Sequence, residues 1–211
     1  MSKTFTVDRK PYDNYVLYYR KNITINPGLT ILTGCNGTGK TTLLNKIKYK
    51  LEHEGVPVYS YNNIQDGGSH SISNAGFYGD YGFLASLLCS SEGEQINHNI
   101  CQSASKIGAF VKKNQNSPEL WILFDAIDIG YSIDNIIETK QDLFETILAD
   151  CKKRGIEVYI VVSANSYEMA CGEQCLDIYT GKYITFNSYD EYREYILKTR
   201  ERKERRYNRE E

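Results

Sequence analysis

No run of about 18 apolar residues occurs in the chain, so no transmembrane helix is expected. The opening residues, Met-Ser-Lys-Thr-Phe-Thr-Val-Asp, have no apolar core of the kind a secretory signal needs, and a cytoplasmic location is the expectation. Excess positive charge is missing too. With 25 basic and 27 acidic residues the net charge is −2, which supplies no global field for nucleic acid. No internal repeat and no linker is evident. The three histidines, His53, His70 and His98, are scattered, and no second Cys/His pair matches the spacing of Cys171 and Cys175. The six cysteines (Cys35, Cys89, Cys101, Cys151, Cys171 and Cys175) are irregularly spaced. They read as small, reduced core residues, with half of a metal site at Cys171 and Cys175 as the alternative.

What remains is an ordinary globular balance, 41% hydrophobic and 25% charged over 211 residues, enough for one domain with a small appendage. The informative stretch is Gly34-Cys35-Asn36-Gly37-Thr38-Gly39-Lys40-Thr41-Thr42, which fits G-x-x-x-x-G-K-[ST]. Its flanks fit as well. Residues 29–33 read as a short buried strand. Residues 40–54 read as a helix with Leu43, Leu44, Ile47 and Leu51 on one face and Gly55 at its C-terminal end. A loop wrapped round phosphates must bring backbone N–H groups close, so glycine recurs where a Cβ would obstruct. The helix N-terminus adds partial positive charge. Lys40 reaches the β- and γ-phosphates and the Thr41 hydroxyl ligates Mg²⁺ in this motif.

Before the loop, residues 15–19 and 22–25 read as short strands, turning through Pro27-Gly28. Tyr12 or Tyr15 either stacks on an adenine base or serves as an ordinary strand aromatic. After the loop helix, residues 56–61 read as a strand. Residues 62–82 are rich in Asn, Gly and Ser and read as a loop, in which Gln65 either reaches a nucleotide-bound metal or is a solvated amide. A short apolar helix is expected at 83–89. Ser91-Glu92-Gly93-Glu94-Gln95 then precedes a helix over 96–113, with Ile96, Ile100, Ala104, Ile107 and Val111 on one face.

Leu120-Trp121-Ile122-Leu123-Phe124-Asp125 is a buried strand ending in a carboxylate, placed to orient Mg²⁺ on the phosphates. Residues 128–132 form a polar turn, 134–154 a long helix ended by Gly155, and 156–163 a further central strand. Thr180-Gly181-Lys182 signals a hairpin. Ser188-Tyr189-Asp190-Glu191 is a capping box opening a last helix, whose mixed charges suit a solvated helix or frayed tail, with a nucleic-acid or partner arm as the alternative. The expected architecture is therefore α/β: a P-loop NTPase with a mainly parallel central sheet flanked by helices, N-terminal antiparallel strands, and a C-terminal hairpin and helix. Residues 1–187 are the expected ATPase domain and 188–211 a charged C-terminal helix or tail.

Four features stand in order: P-loop, loop glutamine, Ser-x-Gly-Glu-Gln, and an apolar strand ending in Asp125. Over about residues 15–166 the chain resembles the ABC-type ATPase superfamily, nearest its soluble SMC- and RecF-like branches and the small AAA-labelled ATPases of bacteria and mobile elements. Gly34 to Leu44 looks like that branch's G-x-N-G-x-G-K-[ST]-T-L-L, Ser91 to Gln95 like the signature motif, Asp128 to Ser132 like the D-loop, and Gln65 like the Q-loop residue. The resemblance implies ATP and Mg²⁺ as cofactors, with Thr41, Asp125 and Gln65 toward the metal. It also implies an ATP-dependent homodimer in which Ser91 and Gly93 of one chain meet the γ-phosphate bound by Lys40 of the other.

Three departures qualify the likeness. The catalytic Glu expected after Asp125 is Ala126. The switch His expected after the next strand is missing, with Ala164 or Asn165 in its place. About fifty residues separate Lys40 from Ser91, too few for a coiled-coil arm or a transporter's helical lobe. The expectation is an ATP-binding dimer with weak or partner-dependent hydrolysis, with Lys40 and Asp125 supporting what phosphoryl transfer occurs. The alternative is a P-loop kinase acting on a nucleotide or other small molecule, against which stands the absence of arginine from the stretch after residues 56–61 until Arg154.

Overall fold

The computed structural model describes residues 1–10 and 16–207. Its centre is a six-stranded sheet in the order β4-β5-β6-β3-β7-β8. The strands are β3 (Gly28–Thr33), β4 (Val58–Asn62), β5 (Glu119–Asp125), β6 (Glu157–Ser163), β7 (Cys175–Asp177) and β8 (Lys182–Ile184). All neighbours pair parallel except the β7–β8 hairpin. A separate antiparallel pair joins β1 (Lys3–Thr6) to β2 (Asn22–Ile25). The α/β P-loop architecture is the one expected from sequence.

Strand alternation assigns the two faces of the sheet, both of which are covered. On β5, Leu120, Ile122 and Phe124 join a core with Phe144 and Ile107, while Trp121 and Leu123 join one with Phe5, Leu43, Ile47 and Leu51. The second core is aromatic at its centre. Trp121 stacks on Tyr159 at 4.0 Å between ring centroids and takes Phe5 edge-on at 5.3 Å.

Helix α1 (Lys40–His53) follows the P-loop and buries Leu43, Leu44, Ile47 and Leu51 as its periodicity predicts. Residues 62–82, expected as a loop, are largely helical: α2 (Asn63–Asp66), α3 (Gly68–Tyr78) and the start of α4 (Tyr81–Leu88). Caps override the weak helix propensity of the segment. The Asn62 side chain accepts from the N–H groups of Ile64 and Gln65, and Asp80 accepts from Phe83. Gly67, between α2 and α3, has no room for a side chain: a Cβ there would lie 2.2 Å from Asn63 Oδ1.

Two further expectations shift. Residues 16–19 form no strand; Leu17 and Tyr18 instead pack inward, with the Tyr18 hydroxyl donating to Gly39 O at 3.0 Å. The signature-like segment opens α5 (Glu92–Lys113), where Ala104 is exposed and the buried row runs through Asn99, Ser103, Ile107 and Val111.

The long helix comprises α6 (Ile133–Glu138), a π-helical segment Thr139–Glu145 and α7 (Thr146–Lys153). A single turn, α8 (Tyr167–Ala170), precedes β7, and α9 (Tyr189–Tyr207) ends the described chain. The Ser188 hydroxyl accepts from Glu191 N–H, while the Glu191 carboxylate reaches back to Asn187 N–H, one residue before the box predicts. No helix among the described residues is long and apolar enough to cross a membrane.

Candidate nucleotide site

The carboxyl ends of β3, β5 and β6 converge where open α/β sheets place their ligands. Gly39 caps α1 in a left-handed conformation, φ 98°, and a Cβ there would lie 2.4 Å from the Leu17 side chain. That is why the motif needs glycine before the lysine. Beside it lies a cavity of about 480 Å³ lined by Asn36, Gly37, Gly39, Lys40, Thr41 and Thr42, with Asp125, Ala126, Ser163 and Asn165 opposite. Gly34, Cys35 and Thr38 build the loop's frame behind it, with Thr38 Oγ1 donating to Cys35 O at 2.8 Å.

The Lys40 ammonium donates to Gly34 O at 2.6 Å, Asn165 Oδ1 at 3.0 Å and Cys35 O at 3.3 Å. All three acceptors are neutral. Burial therefore dominates and lowers the lysine pKa from 10.5 to about 8, with the charges of Cys35, Asp128 and Asp125 opposing more weakly. A polyanion against this ammonium would supply the missing counter-charge, so the lysine fits a bound triphosphate.

Thr41 Oγ1 donates to Asp125 Oδ1 at 3.1 Å, and Asn62 Nδ2 donates to Asp125 Oδ2 at 3.2 Å. Register explains the second contact, since Asn62 and Asp125 are Cα partners at the level ends of β4 and β5. A hydroxyl and a carboxylate so paired are oxygen donors suited to Mg²⁺. Gln65, on α2, lines an adjoining cavity of about 320 Å³ together with Thr41 and Asp125.

Ala126 follows Asp125 with φ 55°, the one positive φ found at a non-glycine residue among those described. Asp128 ties the next strand's exit in place. Its Oδ2 accepts from the backbone N–H groups of Asn165 at 2.7 Å and Ser166 at 2.6 Å, while Oδ1 is buried without a partner. Of the two candidates for the switch position, Ala164 is buried and Asn165 turns its side chain to Lys40.

Sequence reasoning missed the contribution of α9. Thr199 Oγ1 accepts from Cys35 N–H at 3.0 Å, and Lys203 Nζ donates to Asn36 O at 3.0 Å. Tyr195 reaches Thr33 O at 3.3 Å, and Tyr192 donates to Asn165 O at 2.7 Å. The last helix thus braces the P-loop and the segment that follows β6. The only sequence signal was the row Tyr192, Tyr195, Thr199 at helical spacing within a charged stretch.

Ser91 caps α5, exposed, with its N–H and hydroxyl both donating to Glu94 Oε2; Gly93 lies in the first turn. Ser91 lines neither cavity beside the P-loop of its own chain. Tyr12 and Tyr15 lie outside the described residues. All six cysteines are unpaired, and no group of three or more His, Cys, Asp or Glu is arranged for a metal among the described residues.

A loop, lysine, threonine and strand-end carboxylate so arranged define a P-loop ATPase. A family model described as AAA domain (AAA_23) matches residues 12–205, and the chain belongs to that family. A comparison with curated proteins gave no match. The family is one of nucleotide-binding ATPases, in keeping with ATP and Mg²⁺ as its general cofactors.

Proposed function

We propose that this protein is an ATP-gated dimer of the ABC type that holds Mg·ATP firmly and hydrolyses it slowly, or only with help from another chain. The observation that carries the reading is a complete set of holding groups beside an empty place for the base. Lys40, Thr41 and Asp125 meet at one cavity, and the residue after Asp125 is Ala126. Bound Mg²⁺ supplies charge neutralisation at the phosphates, held by Thr41 and Asp125 with Gln65 at hand. Lys40 and the loop N–H groups position the phosphate chain. Alanine neither takes a proton from water nor orients it. Phosphoryl transfer leans on positioning and charge, so a residual rate is expected.

Ser91 is exposed at the start of α5 and lines neither cavity beside its own P-loop, and Gly93 follows in the first turn. That placement suits contact with the γ-phosphate held by a second copy, and association would then follow the nucleotide state. Any protein partner beyond the second copy would read that association, and nucleic acid is not favoured at a net charge of −2.

Light scattering on the full chain with and without Mg·ATP tests this. A monomer becoming a dimer is expected, with the shift lost in Lys40→Ala and in Ser91→Arg. Turnover is expected well below the roughly 1 s⁻¹ at the low end of ordinary enzymes. A monomer that remains monomeric with ATP bound sinks the dimer. Brisk turnover sinks the role given to Ala126. Phosphate transfer from ATP to a nucleoside or nucleotide would replace this reading with the kinase one.

A further inference from the structure

The buried row of α5 begins with the wrong chemistry for a core. Asn99 and Ser103 are 5% and 6% exposed and stand two turns and one turn before Ile107 on the same face. A helix packed on a core normally presents an apolar stripe there. Ser103 meets the hydroxyls of Tyr59 and Tyr61. Asn99 has no hydrogen bond to its side chain among the described residues. Its amide atoms are not among the sealed, partnerless ones, so they open onto the adjoining cavity and are free to bond what enters it.

Asn99 lines a cavity of about 700 Å³ between β4, α2, α3 and α5, within the range of small-molecule sites. Asn74 and Gln102 add two more amides, Asp66 and Asp80 two carboxylates, and Lys106 one ammonium. Two carboxylates against one ammonium disfavour phosphate and other anions. Side-chain amides present donor and acceptor side by side, the pairing they make with a nucleobase edge. Carboxylates accept from the hydroxyls of a ribose, as acidic residues do in dinucleotide sites. We propose that this cavity binds an unphosphorylated nucleoside, with Asn99 as its central hydrogen-bonding residue.

The cavity shares a wall with the nucleotide site. Ser60, Tyr61, Gln65 and Asp66 line both this space and the one beside Thr41 and Asp125. Occupancy on one side therefore bears on Gln65 at the other, a coupling that rests on the ATP reading, whereas the binding itself does not.

Calorimetric titration of the full chain with adenosine, guanosine, cytidine and uridine, each to millimolar concentration, tests the proposal. At least one is expected to bind saturably, unaffected by Lys40→Ala. Asn99→Leu, which replaces an unpartnered amide with an apolar group of similar size, is expected to weaken binding at least about tenfold without lowering Tm. Gln102→Ala, at a half-exposed position, repeats the test independently of the core and is expected to weaken binding severalfold. Failure of all four nucleosides overturns the proposal. So does equal binding by both cavity variants, or loss of binding in Lys40→Ala, which would place the ligand in the P-loop site. A failed ATP reading shows itself separately, as an unchanged oligomeric state with Mg·ATP.

Discussion

Lys40 illustrates how a binding group strains the fold that carries it. Burial holds its pKa near 8, below the 10.5 of the unfolded chain. Between those values the unfolded chain binds more protons, so the nucleotide-free protein gains stability as pH rises from about 8 to 10.5. Below pH 8 the buried ammonium works against folding, by an amount of order 3 kcal/mol. Lys40→Met is therefore expected to be the more stable protein at pH 7 in urea denaturation, with the difference closing toward pH 10.5 and nucleotide affinity lost. Ala126 carries a second local cost. At φ 55° an alanine pays about 1–2 kcal/mol that glycine does not, offset in part by glycine's greater freedom in the unfolded chain. Ala126→Gly is expected to raise stability by about 0.5 kcal/mol, read as a small rise in Tm. Neither effect is visible from residue identity. The lysine was legible as a phosphate ligand, but its burial depends on Asn165 and on carbonyls set by the folded loop.

Among the elements, α1 and β5 formed where their patterns place them because each buries a long, regular apolar row. Residues 62–82 misled because Asn, Ser and Gly favour loops locally, whereas Asn62 and Asp80 spend their side chains on capping. The face of α5 was legible at Ile107 and Val111, which are buried, but earlier in the helix the structure buries Asn99 and Ser103 while Ala104 is exposed. The π-helical segment between α6 and α7 leaves no mark on an apolar pattern that continues through it. In α9 the decisive group is Thr199, which accepts from Cys35 N–H in the P-loop. Thr199→Val is expected to cost about 1 kcal/mol in urea denaturation and to weaken Mg·ATP binding severalfold in calorimetry. Arg200→Ala one residue on removes only an exposed pair with Glu204 and is expected to change stability by less than about 0.5 kcal/mol.

For the molecule as a whole, α9 bears on where a domain can end. Phe186 packs on Tyr192 and Tyr195 at 5.1 and 5.2 Å between ring centroids, and the family match runs across residue 187 to residue 205. If residues 1–187 form a self-sufficient domain, a chain cut there unfolds at the urea concentration of the full protein. The aromatic contacts and the bracing of the P-loop argue for a loss of more than about 3 kcal/mol, with Mg·ATP binding impaired as well. The proposed dimer belongs at this level too. Ser91 lines neither cavity beside the P-loop of its own chain, so the proposed sandwich would require a second copy.

The sequence alone was enough for the P-loop, the strand ending in Asp125 and the α/β architecture. Each is written in adjacent residues or in a period of two or 3.6, and local chain geometry obliges them to act together. Tertiary structure decided the rest. Asn62 meets Asp125 because β4 and β5 end in register, Asn165 meets Lys40 across 125 positions, and Thr199 reaches Cys35 across 164. Such contacts depend on how helices and strands pack, and no local pattern encodes which distant polar group will arrive to satisfy a loop.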